Sequence, residues 1–203
     1  IAPHSDDIEI GCGGTLLSLR EQYGSAMKLI YVLLTRTESR EQEARAAAEV
    51  LRADRVLIYD YPDTKLPLHW AEIKDDLQKI RDEEAQIDLI FSPYRLDEHQ
   101  DHKTVADNVW RTFRNHMILE YEIPKYEGDL QSPNVYIPIT DETANKKMDL
   151  LIDCFPSRNV GAEKHHWFTR DTFLGLMRIR GVECVSQYAE GFHGRKLVMG
   201  LAS

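Results

Sequence analysis

Two periodicities alternate along the first two thirds of the chain. Residues 27–35 (MKLIYVLLT), 55–59 (RVLIY) and 88–92 (DLIFS) are short, continuous apolar runs with many β-branched residues, the pattern of strands covered on both faces. Between them, residues 14–23, 39–51 and 68–84 carry apolar positions at helical spacing. Ser39-Arg40-Glu41-Gln42 sets a hydroxyl three residues before an amide, which predicts a capping box with Ser39 as the N-cap of the second helix. Strand and helix in strict alternation predict right-handed βαβ units, and therefore an α/β fold with a Rossmann-like parallel sheet flanked by helices. Ile1-Ala2-Pro3 reads as the end of a first strand whose beginning is expected upstream of residue 1.

After a further helix over 104–114 the pattern changes to strands over 117–123 and 135–139, then to helices over 141–154 and 170–181. These extra strands and helices in the C-terminal third are expected to complete the sheet and wall a cleft. Gly128-Asp129, between Pro124 and Pro133, marks the surface loop joining the two strands. A chain of 203 residues supports one sizeable core and would crowd two, so 1–203 is expected to be a single domain.

Composition then narrows the possible partners. With 42% hydrophobic and 29% charged residues the chain is globular in type, and no apolar run reaches the roughly 20 residues of a membrane helix. A formal net charge of -9 disfavours nucleic acid, which is bound by clustered Lys and Arg, and leaves a small molecule as the expected partner. Cys12, Cys154 and Cys184 are odd in number and lack C-x-x-C spacing, so neither a disulfide framework nor a cysteine zinc site is expected; a reducing cytoplasm is the expected location. The segment Tyr136 to Ile139 is a candidate contact in a homo-oligomer.

Ligand sites of open α/β sheets lie at the carboxyl ends of the strands, and two polar clusters follow strands here. His4-Ser5-Asp6-Asp7 follows the first strand, and Asp97-Glu98-His99-Gln100-Asp101-His102 follows the run ending at Ser92-Pro93. A hydrolytic zinc site takes three N or O ligands and one open position, a set that two imidazoles and a carboxylate supply. His4 and Asp7 are three apart, and so are His99 and His102, of which one suffices as ligand while the other acts on substrate.

These motifs, with Ile8-Glu9-Ile10-Gly11-Cys12-Gly13-Gly14-Thr15-Leu16, Ser39-Arg40-x-x-Glu43-Ala44, Asp60-Tyr61-Pro62-Asp63, Tyr121-Glu122-Ile123-Pro124-Lys125 and Tyr188-Ala189-Glu190-Gly191-Phe192, resemble the PIG-L/LmbE-like zinc-dependent N-acetylglucosamine deacetylases. The resemblance implies amide hydrolysis on an N-acetylated sugar or glycoconjugate, with Zn²⁺ held by His4, Asp7 and His102. It further implies Asp6 as general base and a protonated His99 as the group that stabilises the oxyanion. Fe²⁺, Co²⁺ or Mn²⁺ suit the same ligands. Asp101 is a candidate to orient His99, with a helix-cap role as the alternative. Arg40, Tyr188 and Glu190 are candidates for substrate contact, Arg40 through its planar fork of donors.

One departure is Ser5, where the family usually has proline; the loop that aims Asp6 and Asp7 loses a fixed φ there. Two other classes of function use part of this pattern. An Fe(II) oxygenase also takes two histidines and a carboxylate but on a β-rich scaffold, and a glycan-binding module with a vestigial metal loop would need neither Asp6 nor His99. The remaining candidates take plainer readings. Gly11-Cys-Gly-Gly14 is expected to turn the chain tightly into the first helix, Cys12 to be a small packed residue, His165-His166 to lie in an exposed loop, with part of the cleft or a subunit contact as the alternatives, and His69, His116 and His193 to be structural.

Overall fold

The computed structural model describes residues 1–158 and 165–198. In chain order they form α1 (Asp7–Tyr23), β1 (Ile30–Thr35), α2 (Glu38–Val50), β2 (Arg55–Tyr61), α3 (Trp70–Glu83), β3 (Leu89–Pro93), α4 (Gln100–Thr112), β4 (Met117–Tyr121), β5 (Val135–Ile139), α5 (Asp141–Cys154), α6 (Arg170–Glu183) and β6 (Tyr188–Gly194). β1 pairs with β2 in parallel, as does β3 with β4. β6 then runs antiparallel between β4 and β5, so the C-terminal third extends the parallel arrangement through two antiparallel pairings, β4 with β6 and β6 with β5.

Residues 1–3 join the two groups of strands. The Ala2 amide donates to Val32 O (2.9 Å) and Ala2 O accepts from the Leu34 amide (3.1 Å), while the Ile1 nitrogen donates to Phe91 O (2.9 Å). The segment therefore lies between β1 and β3, as a strand end would, and the His4 loop leaves from the middle of the strand array.

Alternation along the strands decides what each face buries. Tyr31 and Leu33 of β1 face one apolar cluster with Ile8, Cys12 and Leu16 of α1, Ala44 and Ala47 of α2, Met148 of α5 and Phe173 of α6. Val32 and Leu34 face a second cluster with Ile73, Leu77 and Ile80 of α3 and Val105, Val109 and Phe113 at α4. Both faces are covered, which is why β1 reads as an unbroken apolar run.

Two local expectations are corrected. α1 begins at Asp7 rather than at residue 14, so Gly11–Gly14 are mid-helix and make no turn. Their small size serves packing: a Cβ on Gly11 would come within 2.3 Å of the Tyr121 ring, so α1 approaches β4 more closely than any side chain permits. α2 begins at Glu38 with Thr37 as N-cap and no side-chain cap bond, because the chain enters the helix one residue before the anticipated capping box.

Candidate metal centre

The two polar clusters meet. His4 is carried out of the strand array by residues 1–3. Asp7 opens α1, His99 is the N-cap of α4, and His102 lies in the first turn of α4. Asp7 Oδ2 is 3.3 Å from His4 Nδ1 and 3.5 Å from His102 Nε2. Donors held tetrahedrally at about 2.0–2.1 Å from one ion stand about 3.4 Å apart, so both separations suit a shared zinc-sized cation. His99 borders the same point, its ring centroid 5.0 Å from that of His4 and 4.9 Å from that of His102. The ring nitrogens of His4, His99 and His102 also form a compact trio that would hold an ion.

Each of the two histidines beside Asp7 is gripped from behind by a carboxylate. His102 Nδ1 is 2.8 Å from Asp97 Oδ2, and His4 Nε2 is 3.1 Å from Asp101 Oδ2 and 3.0 Å from Asp63 Oδ1. Such partners fix the tautomer that points the other nitrogen at a metal. His4, Asp63 and Asp101 would themselves make a three-donor group. Asp101, however, already accepts the backbone amides of Thr64 (2.8 Å) and Leu66 (3.1 Å), which makes it an anchor between loops. The expected Asp101–His99 pairing is thereby corrected: the carboxylate turns to His4, and only the Asp101 backbone amide reaches His99, donating to Nδ1 at 3.2 Å.

That amide settles the chemistry of His99. With Nδ1 accepting, Nε2 carries the proton, so the neutral ring already presents a donor. Burial, with His102 and His4 alongside, holds His99 below its ordinary imidazole value, which favours the neutral donor over the expected cation. Around His4 the balance is opposite: burial alone would lower it, but Asp101, Asp63 and Asp7 outweigh burial and hold it well above its ordinary value. Asp6 and Asp97 have cationic partners in Arg158 and Lys125, whereas Asp7, Asp63 and Asp101 crowd three carboxylates about His4, a charge distribution that a divalent cation would help neutralise.

Asp6 is the N-cap of α1 in a left-handed conformation, φ 90° and ψ -25°, and is buried. Its carboxylate is gripped by the guanidinium of Arg158, through a short contact from Nε to Oδ2 and a 3.1 Å bond from Nη2 to Oδ1. Burial raises the Asp6 carboxyl above its ordinary value, and Arg158 offsets part of that rise. Arg158 stands 152 residues from Asp6 in sequence with no motif around it, so sequence reading missed it. Its Nη1 is 2.9 Å from His165 Nε2, which makes His165 a half-buried partner of this pair and corrects its reading as part of an exposed loop.

The substrate candidates divide. Arg40 lies in the first turn of α2, with Nη1 3.3 Å from Ser157 Oγ, beside Arg158 on the Asp6 flank of the site. Glu190 does not face this site. It accepts the amides of Gly14 (2.9 Å) and Thr15 (2.7 Å) and pairs with Lys147 Nζ at 2.6 Å, all buried. Tyr188 pairs across β6 with Ile139 of β5 and packs on the core there, away from the His4 loop. Both are corrected to structural positions by the same cause: β6 turns that part of its length toward α1 and α5.

Comparison with known proteins agrees with this architecture. The sequence matches the family described as PIG-L: GlcNAc-PI de-N-acetylase over residues 1–113. It is 27% identical over 163 residues to the uncharacterized deacetylase YaiS of Escherichia coli K12, covering 74% of this chain and 86% of that protein. It is 32% identical over 119 residues to the diacetylchitobiose deacetylase of Thermococcus kodakarensis, covering 51% of this chain and 43% of that enzyme. The fold is shared with the N,N'-diacetylchitobiose deacetylase of Pyrococcus horikoshii, with a TM-score of 0.74, 22% identity and coverage of 95% of this chain and 81% of that one. As the family match takes in more than half of its residues, the chain belongs to the PIG-L (GlcNAc-PI de-N-acetylase) family.

Proposed function

We propose that this chain is a metal-dependent amidase that removes the acetyl group from an N-acetylated sugar or sugar conjugate. The observation that carries the reading is Asp7 Oδ2 facing His4 Nδ1 and His102 Nε2 at 3.3 and 3.5 Å, with Asp6 and His99 on either side. The relatives named as diacetylchitobiose deacetylases supply the substrate class. His4, Asp7 and His102 would hold the ion, and their two nitrogens and one oxygen suit Zn²⁺, with Fe²⁺, Co²⁺ and Mn²⁺ admitted by the same donors. Such a cation polarises a carbonyl and acidifies water.

The chain's own groups do the remaining work. Asp6, held by Arg158, accepts the proton of the attacking water. A carboxyl raised by burial is closer to the operating pH than an exposed one, which suits a group that must both take and return a proton. His99 Nε2–H donates to the former carbonyl oxygen as negative charge develops there. Asp6 then passes its proton to the departing amine, and the C–N bond breaks to give acetate and the free amino sugar. Three free cysteines accord with a reducing compartment, and we place the protein in the cytoplasm.

The test is metal analysis of the purified protein together with acetate release from N-acetylglucosamine and diacetylchitobiose, for the wild type and Asp6→Asn. The expected result is bound divalent metal in both proteins and a kcat about 10²–10⁴-fold lower in the variant. Undiminished acetate release by Asp6→Asn, or a wild type that holds no metal, would overturn the reading.

A further inference from the structure

A cleft of about 610 Å³ runs along the outer side of α4, and nothing above uses it. Four cations, Arg95, Lys103, Arg111 and Arg195, line it together with Trp70 and Trp110, against one carboxylate, Asp107. In a protein of net charge -9 this local balance is inverted. We propose that the cleft is a distal subsite for a sugar ring bearing an oxyanion, the far end of an oligosaccharide whose N-acetyl group is at the metal centre. This rests on the deacetylase reading.

The charge pairing separates wall from binding surface. Lys103 is paired with Glu98 (2.8 Å), Arg111 with Asp107 (2.9 Å) and Arg195 with the buried Glu120 (2.5 Å). These pairs fix the shape. The exposed Arg95 guanidinium has no ion-pair partner among the described residues; Lys196, which lies 5.4 Å over the Trp110 ring, donates to the Arg114 carbonyl but pairs with no carboxylate among them. Positive charge is thus left over beside two indoles. Arg195 packs on Trp110 with its guanidinium carbon 4.5 Å from the ring centroid, and Trp70 Nε1 donates to Asp107 at 3.2 Å, so both rings are held in place. Lys74 Nζ likewise lies 5.3 Å over the Trp70 ring, so the indoles hold cations at the cleft wall, and the Arg95 guanidinium fork is the group that takes a carboxylate or phosphate.

Placement links the cleft to the reaction. His99, Lys103, Asp107 and Arg111 recur every four residues and so share one stripe of α4. The cleft therefore opens one turn beyond His99 and extends about 12 Å from Lys103 to Arg111 at 1.5 Å per residue. At the near end, Arg95 precedes by two residues the Asp97 that holds His102. One ligand long enough to span several sugar units would reach both places.

Trp70 and Trp110 are two of the three tryptophans, so intrinsic fluorescence reads the cleft directly. The metal-loaded chain is titrated with glucuronic acid, glucose 6-phosphate and neutral glucose. The expected result is a saturable change with one or both anionic sugars and none with glucose, the stronger of the two naming the oxyanion. Arg95→Ala, an exposed change, should weaken that binding about tenfold, as the loss of one charge-assisted hydrogen bond would. It should leave acetate release from diacetylchitobiose unchanged. No saturable response to either anionic sugar, an equal response to glucose, or undiminished binding by Arg95→Ala would overturn the proposal. The binding readout needs no deacetylation, so an inactive enzyme leaves it intact.

Discussion

Two places along α1 gather buried charge, and they are built differently. Toward its middle, Glu190 accepts the Gly14 and Thr15 amides and Lys147 Nζ, while Lys147 also donates to Ile10 O at 2.6 Å. The two charges and the two amides there answer one another within the protein. At the first turn, Asp7 faces two imidazole nitrogens, and the carboxylates around His4 and His102 outnumber the cations. The first arrangement is closed and holds α1 to α5 and β6; the second converges on a point with carboxylates in excess. Burial of charge by itself does not mark a functional site, whereas an unbalanced convergence does.

Breaking the closed cluster should have the largest effect on stability. Lys147→Met leaves Glu190 buried without its counter-ion and is expected to cost about 3–5 kcal/mol. Urea unfolding measures the loss, and the metal content of the protein that remains folded should match the wild type; loss of metal would show that the two clusters are coupled. Asp97→Asn addresses the open cluster, because it removes the carboxylate that orients His102. Metal affinity should fall about 10–100-fold, read by competition with a chelator.

A third effect is a pH dependence of stability. His193 is stacked on Tyr94 with ring centroids 3.7 Å apart, and burial, with Arg180 and Arg95 nearby, pushes its imidazole down to about 4. Between the unfolded value near 6.5 and the folded value near 4, the unfolded chain binds a proton that the folded chain refuses. Stability should therefore be lost as pH falls through that window, by roughly 2–3 kcal/mol. His193→Phe should remove this part of the acid slope in thermal melts. Arg180, ion-paired with Glu122, belongs to the closed side, so the slope should be the same with and without metal.

The sequence made the open cluster legible and left the closed one hidden. His4, Asp7, His99 and His102 lie in two short motifs at strand ends, where topology alone predicts convergence. Asp97 and Asp101 stood inside the second motif, but which histidine each supports depends on side-chain direction, and the Asp101 assignment went to the wrong ring. Arg158 and Lys147 carry no local signal; each lies on a helical turn or helix and its partner is more than 40 residues away. The start of α1 was misplaced because Gly11, Gly13 and Gly14 disfavour helix by propensity, and tertiary packing against Tyr121 overrides that preference. The parallel half of the sheet followed from alternation, whereas the insertion of β6 between β4 and β5 is a long-range choice that no local pattern encodes.

The left-handed backbone of Asp6 limits which residues can follow it through evolution. Asparagine and glycine tolerate φ near 90°, while alanine and larger residues carry a conformational penalty there. The replacements that keep the backbone are thus the ones that cannot accept a proton. On the proposed role of Asp6, a descendant can lose its chemistry in a single step while retaining its shape, and inactive members of such a lineage should be sought among chains with asparagine or glycine at this position.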